Sequence, residues 1–333
     1  MKVKRTRSVM FIALIFAVLF TAGSAYDSSL LTAYAAFGVD TKAVKTDADV
    51  KYIMDNGLYV YSTKDPKEIK MPSSIPAELT TKLSHNLNKY SHAAAMIYVD
   101  LETGFTIKYN EKREFRGASL VKAPYMMAVL DRIKKGEMSL NQKMTYTSAY
   151  YRTGTAQIPK DSGGESMTMT LKRVIEYLIY YSDNSAFAML QSYVSTSKFR
   201  SFALEHYNEE FYKKSNWLTA SGVAAAFTDL YKKSRSGDEL YVWFLELMKQ
   251  ANENKFIKAG IPTDGDGESL YVVAHKYGED VNSLNDAAII FYKNRPYLLI
   301  ILNDYLSNSA RPIFKEVSED VFNIHEYIVN YDK

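Results

Sequence analysis

Residues 119–122 read Ser-Leu-Val-Lys, and Ala123-Pro124 and an apolar run follow them. Tyr125, Met126, Val129, Leu130 and Ile133 recur at helical spacing, so a helix starts near Ser119. Helical residues three apart share a face, about 5–6 Å apart at Cβ, so Ser119 and Lys122 point to the same side. A serine hydroxyl is a weak nucleophile until a base takes its proton. A lysine can be that base when burial and a second cation lower its pKa. The later triplets Ser182-Asp183-Asn184 and Lys276-Tyr277-Gly278 supply a second hydroxyl and that second cation. Ser119 also sits where free backbone N–H groups and the helix dipole favour developing negative charge. Each piece alone has a bland reading: a chance tetrapeptide, a turn or cap, a solvated strand end. Their order, at a helix start, a helix–helix loop and a strand, points to serine acyl transfer.

The surrounding pattern agrees with one antiparallel sheet and a helical insertion, an α/β (α+β) fold. Ala77 to Tyr90 is helical. Ala94–Asp100 and Phe105–Tyr109 are strand-like runs joined at Glu102-Thr103-Gly104. Residues 136–170 show no clear period. Leu171, Val174, Ile175 and Leu178 mark a helix ending at Ser182, and Ala186–Val194, Ala220–Lys233 and Tyr241–Ala251 continue the helical series. Ser269–Ala274, Ala287–Tyr292 and Tyr297–Leu302 then read as strands, and Phe314–Tyr331 as a closing helix. Upstream, Tyr52 to Tyr61 around Asn56-Gly57 could make a short hairpin within 51–63.

The composition limits the function classes. The chain has 333 residues, 47% of them hydrophobic, and 41 basic against 38 acidic residues for a net charge of +3. That balance gives no basis for a nucleic-acid partner. The absence of cysteine excludes thiol catalysis, disulfides and thiolate metal sites, and the scattered His85, His92, His206, His275 and His325 lack metal-ligand spacing. No metal and no cofactor is implied. Lys2, Lys4, Arg5 and Arg7, the apolar Val9–Phe20 and the small Gly23-Ser24-Ala25 have the layout of a secretory signal peptide over 1–25. The apolar core is short for a membrane span, so the membrane enters only through an uncleaved leader. The expected localisation is secreted or extracytoplasmic. Residues 26–76 read as an extension or linker, and residues 77–333 as the folded domain, with its helical insertion over about 131–255. A monomer is expected.

The chain resembles the class A β-lactamase and penicillin-recognising serine hydrolase family, whose motifs are SxxK, SDN and a lysine-x-glycine triplet. Phe115 precedes Ser119 by four, as the family's phenylalanine does, and Met167–Leu171, Ser182–Ala186 and Asn285–Ile289 follow the family's runs. The resemblance covers roughly residues 77–333. It implies a sheet of about five antiparallel strands flanked by helices plus an all-helical subdomain. It also implies roles: Ser119 as acylated nucleophile, Lys122 as proton acceptor, Ser182 as proton shuttle and Lys276 as positive potential hydrogen-bonded to Ser182. Asn184 would bind the substrate's amide, the N–H groups of Ser119 and Glu279 would form the oxyanion hole, and Asp183 would hold the loop.

Several positions depart from that pattern. The stretch Phe202–Ala220 is short and lacks the Glu-x-x-Leu-Asn run that positions a deacylating water. Glu209 and Glu210 are its only carboxylates near the right place, and their spacing to Asn216 is wrong. Tyr277 replaces a compact hydroxyl, and Glu279 puts a negative charge beside the proposed oxyanion hole. With Gly278, these residues are expected to line the substrate site and to disfavour a substrate carboxylate there. No arginine stands on the Asn285–Tyr292 run to bind one, and Lys258 is the substitute. The abundant tyrosines, 27 in all, could line a cleft or simply pack. The expected enzyme is therefore a serine hydrolase that acylates on a β-lactam, peptide or ester and deacylates β-lactams slowly. A true β-lactamase and a non-turnover penicillin-binding sensor are the alternatives.

Overall fold

The computed structural model describes residues 59–61, 71–90, 93–209, 211, 216–250, 255–304 and 311–331. The leader therefore lies outside the described residues. So does the expected hairpin over 51–63, apart from strand β1 (Tyr59–Tyr61). Helix α1 (Ala77–Asn88) leads into β2 (Ala94–Asp100) and β3 (Thr106–Tyr109). Strand β4 (Glu114–Arg116) and a 3₁₀ turn (Ala118–Val121) precede α2 (Lys122–Lys134). Then come β5 (Lys143–Tyr146), α3 (Gln157–Asp161), β6 (Met167–Thr170), α4 (Leu171–Tyr180), α5 (Asn184–Gln191) and α6 (Thr196–Tyr207). Strand β7 (Trp217–Thr219), α7 (Ala220–Arg235) and α8 (Glu239–Lys249) follow. Strands β8 (Val273–Asp280), β9 (Ser283–Ile290) and β10 (Tyr297–Asn303) and helix α9 (Arg311–Tyr331) close the chain.

Five long strands in the order β3-β2-β10-β9-β8 form one antiparallel sheet, and the three-residue β1 adds a sixth at the β3 edge. The mixed α/β fold with a central antiparallel sheet is thus as the sequence suggests. The middle strands β2 and β10 are buried along their whole length. A sheet covered on both faces produces continuous apolar runs rather than alternation, which is how these two segments read. On one face Ala95, Ile97, Val99, Leu298, Ile300 and Leu302 pack against the helices between α2 and α8. On the other, Met96, Tyr98, Leu299 and Ile301 pack against α9. Helix α9 is tied down by His325, which donates from Nε2 to the Arg295 carbonyl at 2.8 Å and accepts the Tyr98 hydroxyl at Nδ1 at 2.7 Å.

Three expectations shift. The strand expected over Ser269–Ala274 begins at Val273 and runs to Asp280, paired from Val273↔Ile290 to Asp280↔Ser283. Its second half is polar, so hydropathy hides it. The stretch 136–170 contains a two-stranded ribbon, β5 with β6, whose exposed face carries a Thr145–Thr168 hydroxyl pair at 2.9 Å. Phe202–Tyr207 belongs to α6 rather than to a loop, and a further short ribbon, β4 with β7, runs up to the Ser119 turn.

Candidate active site

The chain brings Ser119, Lys122, Ser182 and Asn184 together although they come from two distant segments. Lys122 Nζ lies 3.0 Å from Ser119 Oγ and 3.2 Å from Ser182 Oγ. It also donates to the Ser182 carbonyl at 2.5 Å and to Asn184 Oδ1 at 2.7 Å. The last two oxygens can only accept, so they take two N–H bonds of a neutral amine and leave its lone pair for a serine hydroxyl. Lys122 is 2% exposed. Burial, then the charge of Lys276, pushes its pKa well below the ordinary lysine value, against an opposing pull from Asp183.

Local sequence explains the placement of each part. Asp183 caps α5: one carboxylate oxygen accepts the Ala186 N–H at 2.7 Å, and the other accepts the Ile158 N–H at 2.8 Å. The expected loop-holding role of Asp183 is what this geometry does. Ser182, just before the cap, has φ +51°, a left-handed conformation unusual for serine and of the kind held at functional sites. Asn184 spans two elements, because its Nδ2 donates to the Thr153 carbonyl at 2.8 Å while its Oδ1 holds Lys122. Both ends of the amide expected to meet substrate are therefore engaged.

Strand β8 is the sheet edge that faces the Ser119 turn. A Cβ on Gly278 would stand 2.4 Å from the Gly117 carbonyl oxygen, 2.5 Å from Leu120 N and 2.9 Å from Ser119 N. Only glycine permits that approach, and it brings the backbone beside Glu279 against the nucleophile turn. The pleat then separates the neighbours. Lys276 and Gly278 share the face towards α2, and Lys276 is 2% exposed. Its Nζ donates to the Tyr277 carbonyl at 2.8 Å.

Tyr277 and Glu279 are directed to the opposite face, contrary to the expectation that their side chains line the substrate site, although the Lys276 ammonium reaches to 4.7 Å from the centre of the Tyr277 ring. Tyr277 stacks on Phe256 with ring centroids 4.9 Å apart, and Glu279 pairs with Arg311 of α9 at 2.5 Å. Period-two alternation requires this once Lys276 lies inside the strand. Lys258, on the 256–260 turn that packs against α9, belongs to that far layer too.

Of the two expected deacylation candidates, Glu209 is engaged away from the Ser119 turn. Glu209 accepts a hydrogen bond from Thr219 Oγ1 at 3.2 Å, and burial raises its pKa. Thr219 pairs with Glu114, the end of the β4–β7 ribbon remote from Ser119. Glu210 lies outside the described residues.

Two asparagines named in the sequence make contacts it did not indicate. Asn285 Nδ2 donates to the Arg116 carbonyl at 2.8 Å. Asn216 accepts the Gly117 N–H on its carbonyl at 2.8 Å and donates from Nδ2 to the Ala118 carbonyl at 2.8 Å. No local signal marks either, because both contacts cross long sequence separations.

An antiparallel sheet with a helical layer and a serine–lysine–serine cluster at its edge define a serine hydrolase of the β-lactamase-like type. Residues 78–325 match the Beta-lactamase enzyme family, and the chain belongs to that family. It is 22% identical over 270 residues to β-lactamase VEB-1 of Pseudomonas aeruginosa, covering 74% of this chain and 88% of that protein. The fold matches a β-lactamase from Chitinophaga pinensis at a TM-score of 0.67 and 20% identity, over 74% of this chain and 99% of that one. It matches PBP-A at a TM-score of 0.66 and 17% identity, over 78% of this chain and all of the other (100%).

Proposed function

We propose that the protein is an exported serine acyl-transfer enzyme that forms an acyl-enzyme on Ser119 with a β-lactam, peptide or ester carbonyl. The observation that carries this reading is the buried Lys122 amine, 3.0 Å from Ser119 Oγ and 3.2 Å from Ser182 Oγ. Ser119 Oγ attacks the carbonyl carbon and its proton passes to Lys122. The oxyanion is met by the N–H groups of Ser119 and Glu279, aligned by the close approach of Gly278. On collapse the carbonyl–nitrogen bond breaks, and Ser182 relays the proton from Lys122 to the leaving nitrogen. Lys276 keeps the local potential positive and can turn from the Tyr277 carbonyl towards Ser182. Asn184 could exchange its Thr153 partner for the substrate's amide carbonyl.

Hydrolysis of the acyl-enzyme needs a base beside an attacking water. Glu209 is occupied at the far end of the β4–β7 ribbon, so slow release of β-lactams is proposed. A second reading, efficient β-lactam turnover, is favoured by the β-lactamase names of VEB-1 and of the Bacteroides uniformis relative. Export rests on the basic and apolar N-terminal segment.

Incubation of the wild type and a Ser119→Ala variant with a fluorescent penicillin and a chromogenic cephalosporin tests the proposal. A lasting wild-type adduct of one acyl mass, absent from S119A, supports it. Rapid Ser119-dependent cephalosporin turnover would replace slow release by β-lactamase activity. Absence of both adduct and turnover with these, with D-amino-acid esters and with muropeptides would overturn it. N-terminal sequencing of the mature protein checks the leader.

A further inference from the structure

We infer that Asn216 is a positioning residue that fixes the plane of the Ala118–Ser119 peptide, and through it the direction of the Ser119 N–H. The inference rests on the acyl-transfer reading above. The carbonyl of Ala118 and the N–H of Ser119 belong to one peptide unit, and in a trans peptide they point in opposite directions. Asn216 Nδ2 holds that carbonyl at 2.8 Å. The N–H at the other end is therefore directed away from Asn216, and it lies on the side where β8 approaches, with the Cβ position of Gly278 2.9 Å from Ser119 N.

The turn needs such a clamp. Ala118 has φ +45°, a left-handed conformation that costs an alanine energy. Rotation of the next peptide about its two flanking bonds would be a local way to relax that strain. It would also aim a carbonyl oxygen where an oxyanion donor belongs. Asn216 opposes the rotation at both ends of Gly117-Ala118, because its own carbonyl also accepts the Gly117 N–H at 2.8 Å. The space leaves little alternative: a Cβ on Gly117 would stand 2.9 Å from Asn216 Oδ1 and 2.5 Å from Leu218 Cδ2. Among the described residues, Asn216 Oδ1 is buried with no hydrogen-bond partner, and the side chain's one hydrogen bond is that to the Ala118 carbonyl. Asn285 braces the neighbouring Arg116 carbonyl but does not touch the 118–119 peptide.

Two substitutions separate positioning from mere space filling. Asn216→Ala removes the donor. Asn216→Asp keeps the shape but sets a carboxylate oxygen against the Ala118 carbonyl. A packing role ranks N216D as the milder change. The positioning role ranks N216D as at least as harmful as N216A, since repulsion drives the carbonyl away. The readout is the rate of fluorescent-penicillin adduct formation at Ser119, resolved into noncovalent affinity and acylation rate constant. The expected result is a fall of about 10²-fold in the acylation rate constant of N216D with affinity changed less than about threefold, the scale of one lost oxyanion donor.

A crystal structure of N216D carries the second readout, which does not depend on substrate. A rotated 118–119 peptide supports the inference, and an unchanged peptide overturns it. Acylation of N216D at the wild-type rate overturns it as well. Failure of the wild type to acylate at all counts against the acyl-transfer reading, while the peptide orientation still decides the role of Asn216. Should neither variant fold, the wild type bound to a phenylboronic acid on Ser119 answers the question. A boronate oxygen within hydrogen-bond reach of Ser119 N, with Asn216 still on the Ala118 carbonyl, supports the inference. The same oxygen held there with Asn216 turned away sinks it.

Discussion

The shortest of the Lys122 contacts within the site is the 2.5 Å donation from its Nζ to the backbone carbonyl of Ser182. A side chain from α2 is thereby locked to the residue before the α5 cap, and the second hydroxyl is placed by the same bond that positions the base. Protonation of Lys122 would occupy its lone pair, so acylation requires the neutral amine. Burial and then Lys276 lower the Lys122 pKa well below 10.5, so the rate of adduct formation should rise with pH and level off well below that value. Lys276→Ala removes the second of these causes. The rising limb should then move to higher pH, besides any loss in plateau rate. A limb that stays put in stopped-flow acylation of K276A would contradict the coupling.

Gly278 tolerates no side chain where it stands. The atoms that a Cβ would meet at 2.4 and 2.5 Å are backbone, the Gly117 carbonyl oxygen and Leu120 N, which cannot swing aside. Gly278→Ala should therefore push β8 from the Ser119 turn and open the proposed oxyanion hole. The expected outcome is a fall of about 10²-fold or more in acylation rate. The accompanying loss of stability should be about 1–3 kcal/mol by urea denaturation, the usual range for overpacking.

Asp183 supports the site without touching the nucleophile. Its two oxygens accept from Ala186 and Ile158, and the residue is fully buried at 0% exposure. Asp183→Ala strips a cap and leaves the Ile158 N–H without its acceptor. The expected cost is about 2–4 kcal/mol, adding a lost cap to an orphaned buried donor. Asp183→Asn keeps one acceptor and should recover part of it. Denaturant midpoints of the two variants make the comparison.

His325 links stability to acidity. It is fully buried, and burial lowers its pKa to about 4 from the ordinary 6.5. Between those values the unfolded chain holds a proton that the folded chain does not, so stability rises with pH across that window. The contribution is complete above pH 6.5 and is lost as pH falls towards 4, a change of about 3 kcal/mol. Unfolding free energies at neutral pH and near pH 4.5 should diverge for the wild type. They should diverge less for His325→Gln, which is also weaker at neutral pH through its lost bonds to Tyr98 and Arg295.

The parts of the site that were legible in sequence are those that rest on local geometry. Ser119 and Lys122 are one helical turn apart, and Ser182-Asp183-Asn184 carries its own capping aspartate, so their residue types announce their positions. What required coordinates depends on register or on distant pairing. The faces of Tyr277 and Glu279 follow from where β8 begins, and the polar Tyr277–Asp280 half hides that boundary from hydropathy. Asn216 meets Ala118 across 98 residues of chain, and an asparagine just before a three-residue strand carries no mark of such a contact. The β5–β6 ribbon is hidden because each strand is only four residues long, too short for the alternation in Lys143–Tyr146 and Met167–Thr170 to stand out.

Glu209 offers the sharpest separation between acylation and release. Its carboxylate is the one described acidic group on the shortened loop, and a simple reading of composition would make it the base that frees the acyl-enzyme. The geometry argues otherwise. Thr219 Oγ1 donates to it at 3.2 Å, and Thr219 pairs with Glu114, so the carboxylate is held at the end of the ribbon that leads away from Ser119. Lys112 and Lys108 are the cations that act on it, and Lys108 lies on β3 rather than at the β8 edge. Glu209→Gln should leave both the formation rate and the lifetime of the Ser119 penicillin adduct within about twofold of wild type, since a residue outside the reacting atoms changes neither step. A lifetime extended by about 10²-fold, the scale on which a lost general base is felt, would instead place Glu209 beside the attacking water and require that the loop swing towards Ser119 during turnover.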